Sequence, residues 1–147
     1  MDGAATMSDA EFLAAFEAAQ IPRERWTHRE HIRVAFVYLR LRPFGDALDC
    51  IRAGIRKLNR ANGVADTDES GYHETITVAW ARVVASALDV HGPTSDFFTF
   101  EKTHPHLGSK SLLRLYYTVD RVMSLQARAS FVEPDVAPLP AEPAQAP

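Results

Sequence analysis

Trp26-Thr27-His28-Arg29-Glu30-His31-Ile32, followed by Ala35, Phe36 and Leu39, decides the fold. Apolar residues recur at three- and four-residue intervals, the period of an amphipathic helix. Thr27 with Glu30 three residues later has the form of a capping box, so the helix is predicted to begin at His28. Trp26, before the cap, and His31, at the fourth helical position, stand where a staple packs across a helix start. The pattern runs to about Leu41, and Pro43 stops it.

The same period recurs on both sides of this segment. Ser8-Asp9-Ala10-Glu11 is a second capping box, opening a helix to about Gln20 with Phe12, Leu13 and Phe16 on one side. A third helix is predicted from about Phe44 to Ala61, with Leu48, Ile51, Ile55 and Leu58 in register and Asn62-Gly63 as its stop. After a polar, acidic loop over Val64 to Ser70, a fourth runs from about Tyr72 to Leu88 and is broken by Gly92-Pro93. Thr94 or Ser95 is expected to start a short aromatic helix through Phe97, Phe98 and Phe100, serving as core or as a lid. Ser109 is expected to cap a helix through Tyr117, and a last short helix spans Met123 to Ala129. No segment alternates with period two over a convincing length, and no internal repeat is visible. The expectation is an all-α bundle of about five to six helices, a single helical domain over residues 8–132. Residues 1–7 read as a flexible N-terminus. Residues 133–147 hold five of the nine prolines and read as a tail, partly or wholly disordered. Its first part, up to Asp135, is expected along the surface.

The bulk numbers narrow the class. At 147 residues, 46% hydrophobic and 24% charged, the chain suits one domain with a genuine core. A formal net charge of −3 with scattered basic residues argues against a nucleic-acid partner. No apolar run approaches the roughly 20 residues needed to span a bilayer, so no membrane role is expected. The first residues show no secretory signal, and the single Cys50 excludes an internal disulfide and disfavours a cysteine-ligated metal. A cytoplasmic location is the expectation.

Three histidines carry the functional reading. Taking about 100° per residue, His28 falls about 30° and His31 about 90° from the centre of the apolar stripe of their helix. In the fourth helix His73 falls within roughly 40° of the stripe and Glu74 about 130° from it. Imidazoles on a core-facing surface need a compensating interaction. A helix N-terminus disfavours imidazolium and keeps the ring neutral, the form required of a metal ligand or general base. His28, His31 and His73 are therefore the candidate ligands of one divalent transition metal: zinc, iron, nickel or copper. Tyr72, Glu74 and Tyr116 are the accompanying candidates for proton transfer or positioning. Two other readings stand beside this one. A metal-free small-molecule site or acid–base enzyme would use His73 and Glu74. A structural or interaction protein would hold the histidines as satisfied core groups. Lys110 and Arg128 are candidates to neutralise Glu74 or to bind an anionic ligand, or are plain surface charges. His104-Pro105-His106 reads as an exposed turn, with metal binding the less favoured role. Glycine-rich nucleotide loops and the serine-hydrolase elbow have no counterpart, so no nucleotide cofactor is expected.

W-T-H-x-x-H-I, G-Y-H-E-T-I-T, S-L-L-R-L-Y-Y-T and A-R-A-S-F-V-E-P-D-V-A-P-L together resemble a family of small, uncharacterised bacterial all-α proteins. The resemblance spans about Trp26 to Leu139. It implies that these segments form one unit and implies no catalytic role. The three-histidine arrangement is also analogous to damage-inducible helical metalloproteins, whose helix order and ligand spacing differ from those here.

Overall fold

Helix α1, Asp9–Glu17, starts on Ser8, whose Oγ accepts the Glu11 N–H while the Glu11 carboxylate accepts the Ser8 N–H. The computed structural model of the chain describes residues 7–92 and 94–143. The N-terminal expectation thus falls almost wholly outside the described residues, as do the last four residues of the tail. Ala19, at φ 55°, turns the chain after α1, which ends before Gln20. A 3₁₀ turn over Arg23–Arg25 then leads into α2, His28–Leu41.

Helix α2 is the centre of the molecule. Its residues from Ile32 to Tyr38 are all buried, and it packs against both neighbours in the bundle. These are α3, Phe44–Ala61, and α4, Glu74–His91. Helix α3 buries Leu48, Ile51, Ile55 and Leu58, the predicted stripe, and Gly63 takes the positive φ of 68° that its stop requires. Helix α5, Phe97–Thr103, buries Phe97 and Phe100 against Phe36 of α2 and leaves Phe98 half-buried. Its N-cap is Asp96, one residue beyond the predicted start. Two 3₁₀ segments follow: Pro105–Gly108, at the expected turn, and Lys110–Leu115, where an α-helix capped by Ser109 was expected. A short helix that was not expected, α6, Val119–Val122, is capped by Thr118, and the last predicted helix, Met123 to Ala129, is α7, Leu125–Ala129, capped by Ser124. The protein is all-α, with no strand among the described residues.

A buried arginine ties α2 to the start of α1, and through Asp9 to α5. Arg33 on α2 is 1% exposed, donates to Asp9 Oδ1 at 3.0 Å and to the Met7 carbonyl at 2.7 Å, and lies over the Phe12 ring. Asp9 Oδ2 also accepts the Phe97 N–H.

The segment after α7 packs further than its prolines suggest. Thr75 Oγ1 of α4 donates to the Ser130 carbonyl and accepts the Val132 N–H, while Tyr117 donates to the Val132 carbonyl. Asp135 accepts from the Thr118 N–H and hydroxyl, Val136 N–H donates to the Tyr116 carbonyl, and Arg82 donates to the Pro140 carbonyl. Leu139 is buried in the main core. No helix among the described residues is long and apolar enough to cross a membrane.

Candidate functional site

A cleft of about 490 Å³ opens between α2, α3 and α4, and His28, His31 and His73 all line it. Helix α2 contributes the first two histidines, α3 contributes Ile51, Ile55 and Asn59, and α4 contributes Ile76 and Trp80. Lys110, at the start of a 3₁₀ segment, and Arg23, in the turn before α2, complete its charged rim. Angular placement on α2 puts His28 and His31 on this side. The wall supplied by α3 had no signal in the sequence, because nothing local reports which helices are neighbours.

Each histidine is held by a backbone carbonyl. His28 Nε2–H donates to the Leu107 carbonyl at 2.9 Å, and its ring lies 4.6 Å from that of Trp80. His31 Nδ1–H donates to the Thr27 carbonyl at 3.0 Å, with its ring 4.1 Å from Trp26. That contact is the expected staple. Thr27, however, donates its hydroxyl to the buried Glu30 carboxylate and accepts no helix N–H, so the two residues pair through their side chains and not as the expected capping box. His73 Nε2–H donates to the Val122 carbonyl at 2.7 Å, and its Nδ1 accepts the Ile76 N–H at 3.1 Å.

His73 is therefore the N-cap of α4 and stands outside the helix, in an extended conformation. This corrects the helix start at Tyr72. Imidazole is an unusual cap, and Ser, Thr, Asp and Asn are the residues that announce one. The carbonyl bonds also fix the neutral tautomers. His28 keeps its lone pair on Nδ1 and His31 on Nε2, whereas both nitrogens of His73 are engaged. A backbone carbonyl on the far nitrogen is the usual support of a metal-ligating histidine. Among the described residues, no group of three His, Cys, Asp or Glu side chains is disposed to hold a metal ion.

Glu74 and Tyr72 form a separate cluster at the edge of the cleft. Arg52 of α3 clamps Glu74 through Nε and Nη2, the latter at 2.6 Å, and Tyr72 donates to Glu74 at 2.6 Å. Arg56 lies 4.3 Å over the Tyr72 ring. Burial acts to raise the Glu74 carboxyl, but the bonds from Arg52 and Tyr72 outweigh it and hold the group below its ordinary value. Burial and the same carboxylate push the Tyr72 phenol up to about 12. Tyr72 lines the cleft; Glu74 does not, and its partner is Arg52, not Lys110 or Arg128. Arg128 instead faces the Gly71 and Tyr72 carbonyls at 3.5 Å. Tyr116 stands apart from the cleft, half-buried against the core, and the tyrosine with the buried hydroxyl is Tyr117. Of the turn histidines His104 is buried and His106 exposed.

The electrostatics of the three histidines agree in direction. Burial lowers the pKa of all three below 6.5, and their carbonyl bonds offset this only in part. Lys110 lowers His28 and His31 further, and Arg128 lowers His73. The folded protein thus favours neutral rings that the unfolded chain would protonate near pH 6.5. Their contribution to stability is complete above that pH and is lost as pH falls below it. Denaturant melts taken from pH 7.5 to 5 should show a falling midpoint. The fall should be smaller in His28→Phe/His31→Phe, and equal slopes in both proteins would refute the assignment.

Comparison with protein-family models, curated proteins and solved structures finds no match to this chain.

Proposed function

We propose that this chain binds a small organic molecule in the histidine-lined cleft, without a metal. The observation that carries the reading is the cleft itself. It is a concavity of about 490 Å³ with aromatic and aliphatic walls and a few polar groups, the usual composition of a small-molecule site. His28 Nδ1 and His31 Nε2 are its acceptors, and as neutral imidazoles they are also its candidate bases. The acid–base pair suggested by sequence, His73 with Glu74, is replaced in this reading. His73 spends both nitrogens on backbone groups, and Glu74 is neutralised by Arg52. A cytoplasmic location is part of the proposal and suits the unpaired Cys50.

One observation favours a second reading. His28 and His31 lie one turn apart, each with one ring nitrogen anchored to a carbonyl, as metal ligands are. A third protein donor would have to come from His73, at the expense of the α4 cap. A single zinc, iron, nickel or copper ion is the occupant that reading requires.

A thermal-shift screen of small metabolite-like compounds in the presence of chelator tests the first reading. At least one compound should stabilise the wild type, and the effect should vanish in His28→Ala/His31→Ala. A compound at 100 times its Kd stabilises by about 2.7 kcal/mol, well within reach of the method. Stabilisation that appears only on adding a divalent metal would overturn the metal-free reading in favour of the second.

A further inference from the structure

The charge of the cleft is one-sided. Arg23 and Lys110 line it, and no Asp or Glu is among its lining residues. Two helices also begin at its wall. The 14-residue α2 starts at His28 and the 18-residue α4 starts after His73. A helix N-terminus carries roughly half a positive charge. Of the carboxylates adjoining the lining segments, Glu24, Asp68 and Glu69 are exposed and outside the lining, and three others are occupied. Glu30 accepts from Thr27, Glu74 is clamped by Arg52, and Asp66 accepts the Tyr72 N–H. Lys110 is close enough to His28 and His31 to disfavour a proton on both.

The walls add a second constraint. Both tryptophans of the chain, Trp26 and Trp80, line this cleft together with Tyr72. Flat apolar surface of this kind suits a planar body. The neutral rings of His28 and His31 offer lone pairs, so the body should carry hydrogen-bond donors.

We infer that the ligand of this cleft is a small organic anion, a carboxylate or phosphate monoester on an aromatic body, with its acid group held by Lys110 and Arg23 and its donors by His28 and His31. The inference rests on the proposed small-molecule reading and narrows it to one chemical class.

Because both tryptophans stand in the cleft, tryptophan emission, excited selectively over tyrosine, reports on this site. The probes are benzoate, phenyl phosphate and their uncharged counterpart benzamide. Benzoate or phenyl phosphate should change the emission saturably, and whichever binds more tightly identifies the acid group. Benzamide should bind at least about tenfold more weakly, the difference expected of one charge-assisted hydrogen bond. The anion's affinity should fall with added salt and by about tenfold in Lys110→Gln. Lys110 is exposed, so this variant should melt with the wild type, and Arg23→Gln provides an independent second variant. Equal binding of benzamide, or unchanged affinity in both variants, would overturn the anion assignment. So would the lack of a response to all three probes. In each case the thermal-shift screen decides separately whether the cleft binds anything, since it includes neutral compounds.

Discussion

Arg33→Ala should destabilise the protein by roughly 3 kcal/mol, the cost of leaving one member of a buried ion pair alone. Arg33 is 1% exposed, and its guanidinium bonds to Asp9 and the Met7 carbonyl while lying 4.6 Å over Phe12 and 5.1 Å over Phe98. Removing it orphans the carboxylate that also receives the Phe97 N–H. The loss is therefore shared by α1, α2 and α5. For a chain of this size, a lowering of Tm on the order of 10 °C is expected. Arg33→Lys keeps the charge but cannot present the same planar fork, so it should recover only part of the loss. A melting temperature within about 2 °C of wild type for Arg33→Ala would refute this account, since that is less than 1 kcal/mol.

Gly54→Ala is the second large effect, and its sign runs against helix propensity. In an exposed helix interior, alanine gains about 1 kcal/mol over glycine. Here a Cβ would collide with the edge of the Phe16 ring. Phe16 has no room to withdraw. It is fully buried, stacked on Trp26 at 5.5 Å and edge-on to Tyr38 at 6.2 Å. We expect a net loss of about 2 kcal/mol, as for other overpacked cores. Since Trp26 also holds the His31 ring and lines the cleft, the substitution should alter tryptophan emission and weaken ligand binding. Gly54→Ala/Phe16→Leu, which removes the obstructing ring edge, should fall closer to wild type than the sum of the two single changes. Simple additivity would show that the two sites do not touch.

What the sequence reveals here is what lies within one turn of a helix. The Ser8 box, the Trp26–His31 staple and the stripe of α3 are local patterns, and the structure contains each of them. The same reading places His28 and His31 correctly, because both lie inside a helix whose start is well marked. It also turns His73 inward, and His73 is buried and lines the cleft, but it does so as an N-cap, without the helical backbone that the angular argument assumes. It singles out Tyr116, whereas the buried hydroxyl is that of Tyr117, because the 3₁₀ winding that precedes them is not announced by any residue type. Partners distant in the chain are silent. Arg52 answers Glu74 across 22 residues and Leu107 answers His28 across 79. The cleft's third wall and the buried Leu139 belong to the same class of information.

The latch at Thr75 has a consequence for the order in which the molecule is completed. The threonine hydroxyl bonds to Ser130 and Val132, residues 55 and 57 positions later. Helices α2, α3 and α4 are all synthesised before the residues that seal this seam. Contacts so far apart close late in folding, after the loop entropy between them has been lost. A nascent chain that has emerged only through α5 therefore carries its three main helices with one apolar seam open to solvent. Until Val132 and Leu139 arrive, that seam is the surface most exposed to aggregation and to chaperones.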